Sequence, residues 1–192
     1  INATNWKIFS MSVSNMESEV FQYMLTNRVA FGKVVTQKKV DRKFYLTAAY
    51  NLQTPVSTND TTNYFRYRKV AAKIGLPIID SLILVNDLNV FEKNKRWDEY
   101  ITTAKKGTEQ YLWNDANTLR RISDNIYEHS SDKNTLIKAA NFAVRSAELK
   151  PEYFNNLSAA KIYYKIGYND MAKKYAQRAV EEGKKKNMNI KE

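Results

Sequence analysis

The sequence predicts an all-α chain of stacked antiparallel helix pairs, about ten helices in all, and three observations carry that prediction. The 192 residues hold only five glycines and three prolines, whereas all-β domains need turn residues at roughly every 8–12 positions. Apolar residues recur at spacings of three and four along most of the chain, as on a helix face. Near the carboxyl end, Ala139, Ala143 and Ser146 recur as Ala172, Ala176 and Ala179, a period of 33. Small side chains repeated in this way let the second helix of each pair approach its neighbours closely.

The first helix is expected over residues 5–11, anchored by Trp6, Ile8 and Phe9. A second starts near Ser18, carries Val20, Phe21, Met24, Leu25 and Phe31 on one face, and ends around Gly32. A third spans 36–52, with Val40, Phe44, Ala48 and Leu52 in a four-residue row. Residues 53–63, with Pro55 and a run of Ser, Thr, Asn and Asp, read as a loop. The segment 64–74 is the next helix, ended by Gly75. Residues 78–91 are apolar enough over a few positions to pass for a buried strand. Their length and the Pro77 just before them favour a buried helix. Further helices are expected over 96–106, 114–130, 134–149, 152–166 and 169–182. All five glycines (Gly32, Gly75, Gly107, Gly167 and Gly183) follow helical runs and read as left-handed caps. The resulting plan is a helical part over 1–52, a loop over 53–63 and paired helices over 64–192, or one continuous domain over 1–192.

Composition narrows the function classes. At 43% hydrophobic and 27% charged, the chain can build a packed core. It has no cysteine, which removes disulfides, thiol nucleophiles and thiolate metal sites. No stretch approaches 18 apolar residues, so no membrane-spanning helix is expected. The opening at Ile1, without a methionine or a signal-type apolar run, reads as a soluble fragment or a processed chain. The net charge of +11 is uneven: residues 1–75 hold eleven Lys/Arg against four Asp/Glu. A basic front half implies an acidic partner, a nucleic acid or an anionic surface.

Catalytic signatures are missing. No Gly-rich phosphate loop, dinucleotide fingerprint or calcium loop occurs, and no Ser–Gly turn supplies a nucleophile elbow. His129, the single histidine, lies beside Glu128 and near Asp124. It reads as a C-terminal helix residue favoured by the helix dipole rather than as a metal or acid–base site. Asp98 and Glu99 are adjacent, so on a helix they diverge. The segment is therefore expected to be non-catalytic and to hold no metal or cofactor.

The stretch Tyr163-Tyr164-Lys165-Ile166-Gly167-Tyr168-Asn169-Asp170-Met171-Ala172 resembles the helix–turn–helix centre of a tetratricopeptide repeat. Pro151 stands where that family's repeat-ending proline stands, and Asn156 replaces its usual aromatic. The segment from Arg96 through Tyr100, with Ala104, is a fainter echo. The resemblance implies a right-handed solenoid in which stacked pairs share one core. At the front, Asn5-Trp6-Lys7-Ile8-Phe9, the run from Glu19 to Leu25, and Asn27-Arg28 with Phe31 resemble the helical C-terminal region of bacterial thioredoxin-family proteins. That resemblance implies an upstream redox domain, an exported or periplasmic protein, and a helical segment that takes no part in the redox chemistry.

On the solenoid reading, first-helix residues line a partner-binding groove: Asp124, Asn125 and Glu128 in one pair, and Leu157, Lys161, Tyr164 and Lys165 in the next. The expected role is protein interaction or scaffolding, with a protein, a peptide or an adjacent thioredoxin-like domain as partner. The alternative is a nucleic-acid or polyanion binder using Arg66, Arg68, Lys69 and Lys73, whose basic side chains interleave with Tyr64, Phe65 and Tyr67. Packing on an amphipathic helix accounts for the same cluster more simply.

Overall fold

Residues 1–188 are described by a computed structural model, and among them the chain forms eleven α-helices and no strand. They fall into two compact units, Ile1–Arg96 and Trp97 onward. None of these helices is long and apolar enough to cross a membrane.

The first unit contains α1 (Ala3–Ser12), α2 (Glu19–Thr26), α3 (Arg28–Val35), α4 (Gln37–Thr58), α5 (Thr61–Ala71) and α6 (Pro77–Lys93). Helix α4 is its spine and packs against α3, α5 and α6. Its row of Val40, Phe44, Ala48 and Leu52 is fully buried, as the periodicity predicts. Phe21 meets Phe44 edge-on at 5.1 Å, and Trp6, Phe9, Tyr23 and Phe31 form a second aromatic group. Polar side chains of α4 hold the connection after α1. Lys43 Nζ donates to the Val13 carbonyl at 2.6 Å, and Asn51 donates to that of Ser14 at 2.6 Å.

Three expectations are corrected here. The segment from Ser18 to Gly32 is two helices, which brings the number to eleven. The break is Asn27, at φ −100° and ψ 19°, whose side-chain amide bonds back to the Tyr23 carbonyl at 2.9 Å. The loop expected over 53–63 contracts to Asn59 and Asp60. Helix α4 continues through Pro55, and Thr54, Ser57 and Thr58 return their hydroxyls to carbonyls three or four residues back. Left-handed Asn59 then ends α4, and Asp60 caps α5 by accepting from the Asn63 amide. Of the five glycines, Gly75 and Gly167 adopt positive φ, while Gly32, Gly107 and Gly183 lie inside helices. A Cβ on Gly32 would fall 3.3 Å from Gln37 Cα and collide with that side chain, so close approach explains this glycine. The α3–α4 joint itself is Thr36, a β-branched residue at φ 97°, where strain is expected.

The apolar run after Pro77 is helix α6, with the proline in its first turn. It brings Asp87 into the core beside α5. Tyr64 donates its hydroxyl to Asp87 at 2.6 Å, and Arg68 binds both carboxylate oxygens at 2.6 and 2.8 Å. Burial and the neighbouring carboxylate push the Tyr64 hydroxyl far above its ordinary pKa.

The second unit contains α7 (Trp97–Tyr111), α8 (Ala116–His129), α9 (Lys133–Leu149), α10 (Tyr153–Lys165) and α11 (Asn169–Lys185). Consecutive helices from α8 onward pack on one another, and α10 also touches α8. Asp115 and Asp132 cap α8 and α9 by accepting from the Thr118 and Thr135 amides. The seams are built from small residues: Ala139, Ala140, Ala143, Ala159, Ala172 and Ala179 are all buried. Ser146 belongs to the same row and donates its hydroxyl to the Ala116 carbonyl at 2.7 Å, tying α9 to the start of α8.

Candidate functional site

Helix periodicity builds a groove on α8 and α10. On α8 the face 120, 124, 127 and 128 carries Arg120, Asp124, Tyr127 and Glu128; on α10 the face 154, 157, 158 and 161 carries Phe154, Leu157, Ser158 and Lys161. These eight residues line one recess of about 140 Å³. Arg120 and Asp124 pair one turn apart at 3.1 Å. Burial raises the pKa of the Asp124 carboxyl, while the Ser158 hydroxyl and the charges of Arg120 and Lys161 oppose that rise. Phe154 leaves 56% of its surface exposed at the edge. The recess thus offers a carboxylate of reduced solvation, cations on both helices and an apolar rim.

The seven residues expected to bind a partner divide three ways. Asp124, Glu128, Leu157 and Lys161 share the recess. Tyr164 stands 75% exposed on another groove, formed by α10 and α11, which Lys161 also borders. Asn125 and Lys165 bond within the unit. Asn125 donates to the Tyr100 hydroxyl at 3.0 Å. The Lys165 ammonium donates to the carbonyls of Tyr127 and, at 3.0 Å, Ser130, and lies over the Tyr127 ring. It therefore satisfies acceptors that the end of α8 leaves open. Arg120, Tyr127, Phe154 and Ser158 escaped the sequence reading. Steps of three or four from Asp124, Leu157 and Lys161 reach all of them.

The basic residues of the first unit divide similarly. Arg68 is committed to Asp87, and Arg66 reaches Glu17 at 3.3 Å. Lys69 and Lys73 are exposed. His129 ends α8 stacked on Trp97, with ring centroids 3.6 Å apart.

No protein-family model matches this chain, and no curated protein or solved structure was found to be similar to it.

Proposed function

We propose that the chain is a non-catalytic protein-interaction module whose helix pairs α8–α9 and α10–α11 act as tetratricopeptide-like repeats. On this reading it is the helical part of an exported thioredoxin-like protein, and its partner is a peptide or a neighbouring domain. The recess between α8 and α10 carries the proposal. At about 140 Å³ it is smaller than small-molecule pockets, which run roughly 300–1,000 Å³, and it suits one anchoring side chain of a protein partner. Asp124 is already paired with Arg120, so exposed Glu128 is the carboxylate that would receive a cationic anchor, and exposed Phe154 supplies an apolar contact beside it.

Selection of random peptides displayed on phage against the full chain tests the proposal. Enriched peptides are expected to carry Lys or Arg, and the double variant Glu128→Lys, Leu157→Asp is expected to weaken their binding on the order of tenfold or more. Absence of enrichment, or unchanged affinity in the variant, would refute the reading.

A further inference from the structure

The 33-residue echo makes the two helix pairs of the second unit comparable position by position. Ala172 and Ala176 of α11 match Ala139 and Ala143 of α9, while Ala160 and Lys161 of α10 match Tyr127 and Glu128 of α8. In the α8–α9 pair these positions meet another helix. Ala139 and Ala143 are completely buried. Helix α10 packs on α9 and α8, bringing Leu157 and Lys161 to the recess that Tyr127 and Glu128 line.

In the α10–α11 pair the matching face is open. Ala160, Lys161, Tyr164, Ala172, Lys173 and Ala176 border a groove of about 460 Å³, with Ala176 exposed and Tyr164 forming a wall. Three alanines, Ala160, Ala172 and Ala176, form its floor, with Lys161 and Lys173 at its borders. Where the Tyr127 ring stands in the earlier pair, Ala160 leaves a hollow.

The charge is inverted between the pairs as well. Acidic Glu128 of α8 faces a recess to which α10 contributes basic Lys161. One repeat later Lys161 occupies the acidic residue's place, and Lys173 stands where Ala140 is buried. The α10–α11 pair holds seven Lys/Arg against three Asp/Glu over residues 153–185. A second copy of this chain would bring the same basic surface and be repelled.

We infer that the α10–α11 groove is the docking site for an amphipathic helix of a partner protein, seated as α10 is on α8–α9 and presenting acidic side chains to Lys161 and Lys173. This deepens the proposed interaction role and rests on it; the groove shares Lys161 with the α8–α10 recess and is otherwise lined by different residues.

Two helix-stapled synthetic peptides test the inference by fluorescence anisotropy with the full chain. One has the sequence of residues 152–166; the other carries Lys161→Glu. The acidic peptide is expected to bind at least about tenfold more tightly than its parent. Ala176→Arg in the protein, at an exposed position whose folding circular dichroism checks, is expected to weaken that peptide by about tenfold or more. Leu157→Asp, in the α8–α10 recess, is expected to leave it unchanged, so the two proposals fail separately. Equal affinities, no binding of the acidic peptide, or full binding by Ala176→Arg would overturn the inference. Self-association in sedimentation equilibrium that Ala176→Arg abolishes would also overturn it, by assigning the face to a second copy.

Discussion

The two units use the same secondary structure and hold it together differently. The first relies on large aromatic side chains around a central helix and on polar side chains that reach into the core, with Asp87 binding Tyr64 and Arg68. The second draws its helices together over alanines, with side-chain bonds to helix ends from Ser146 and Lys165 and one between α8 and α7 from Asn125. The contrast teaches that helix packing sets different tolerances: a polar network fails when one partner leaves, whereas a small-residue seam fails when volume is added.

Arg68→Ala provides the largest test. It leaves the Asp87 carboxylate, 4% exposed, with only the Tyr64 hydroxyl of the two partners. Losing one partner of a buried pair costs roughly 3–5 kcal/mol. The 40% exposure of Arg68 places this case at about 3 kcal/mol or somewhat less. Urea unfolding measures the loss, and hydrogen exchange should localise it to α4–α6; a cost below about 1 kcal/mol would break the contrast.

The seam is tested by a matched pair. Ala143→Leu overfills a closed position and should cost about 1–3 kcal/mol. Ala176→Leu, its counterpart on the open face, should stay within about 0.5 kcal/mol of wild type. Equal effects on the urea midpoint would show that the two faces are not distinguished by covering. A smaller loss, under about 1 kcal/mol, is expected for Lys165→Ala, with faster amide exchange in the last turn of α8.

Acid titration gives the finest comparison. Burial of Asp41 favours its neutral form, but hydrogen bonds from Arg28 and Gln37 and the Arg28 charge outweigh this and lower its pKa. Its stabilising contribution is therefore present above the unfolded-state value and lost as pH falls through the lower folded value. Asp124 has the opposite sign, because burial raises its pKa. Its contribution is present below the unfolded-state value and lost as pH rises through the higher folded one. In thermal melts across pH, Asp41→Asn should reduce the acid-side loss. Asp124→Asn should gain most over wild type near neutrality.

The all-α class, the buried helix after Pro77 and the alanine seam, apart from exposed Ala176, were legible because each rests on periodicity within a few turns. Pro55 and its Ser/Thr surroundings misled because hydroxyls can close onto backbone carbonyls and keep such a run helical. The glycines misled for a related reason: their absent Cβ serves close approach at Gly32 and backbone conformation at Gly75, and both follow an apolar run. At the site, the row positions of Asp124 and Leu157 were readable. The inward role of Lys165 was not, since it depends on where the end of α8 comes to rest.

That placement gives Lys165 a mechanical part. By bridging the last turn of α8 from the far end of α10, it acts as a splint across the seam between successive hairpins. Peeling α10 away also strips the carbonyls of Tyr127 and Ser130 of their donor, so unravelling at one hairpin loosens the next. Lys165 thus adds a polar tie worth under about 1 kcal/mol to a seam held in the main by the packing of α10 on α9.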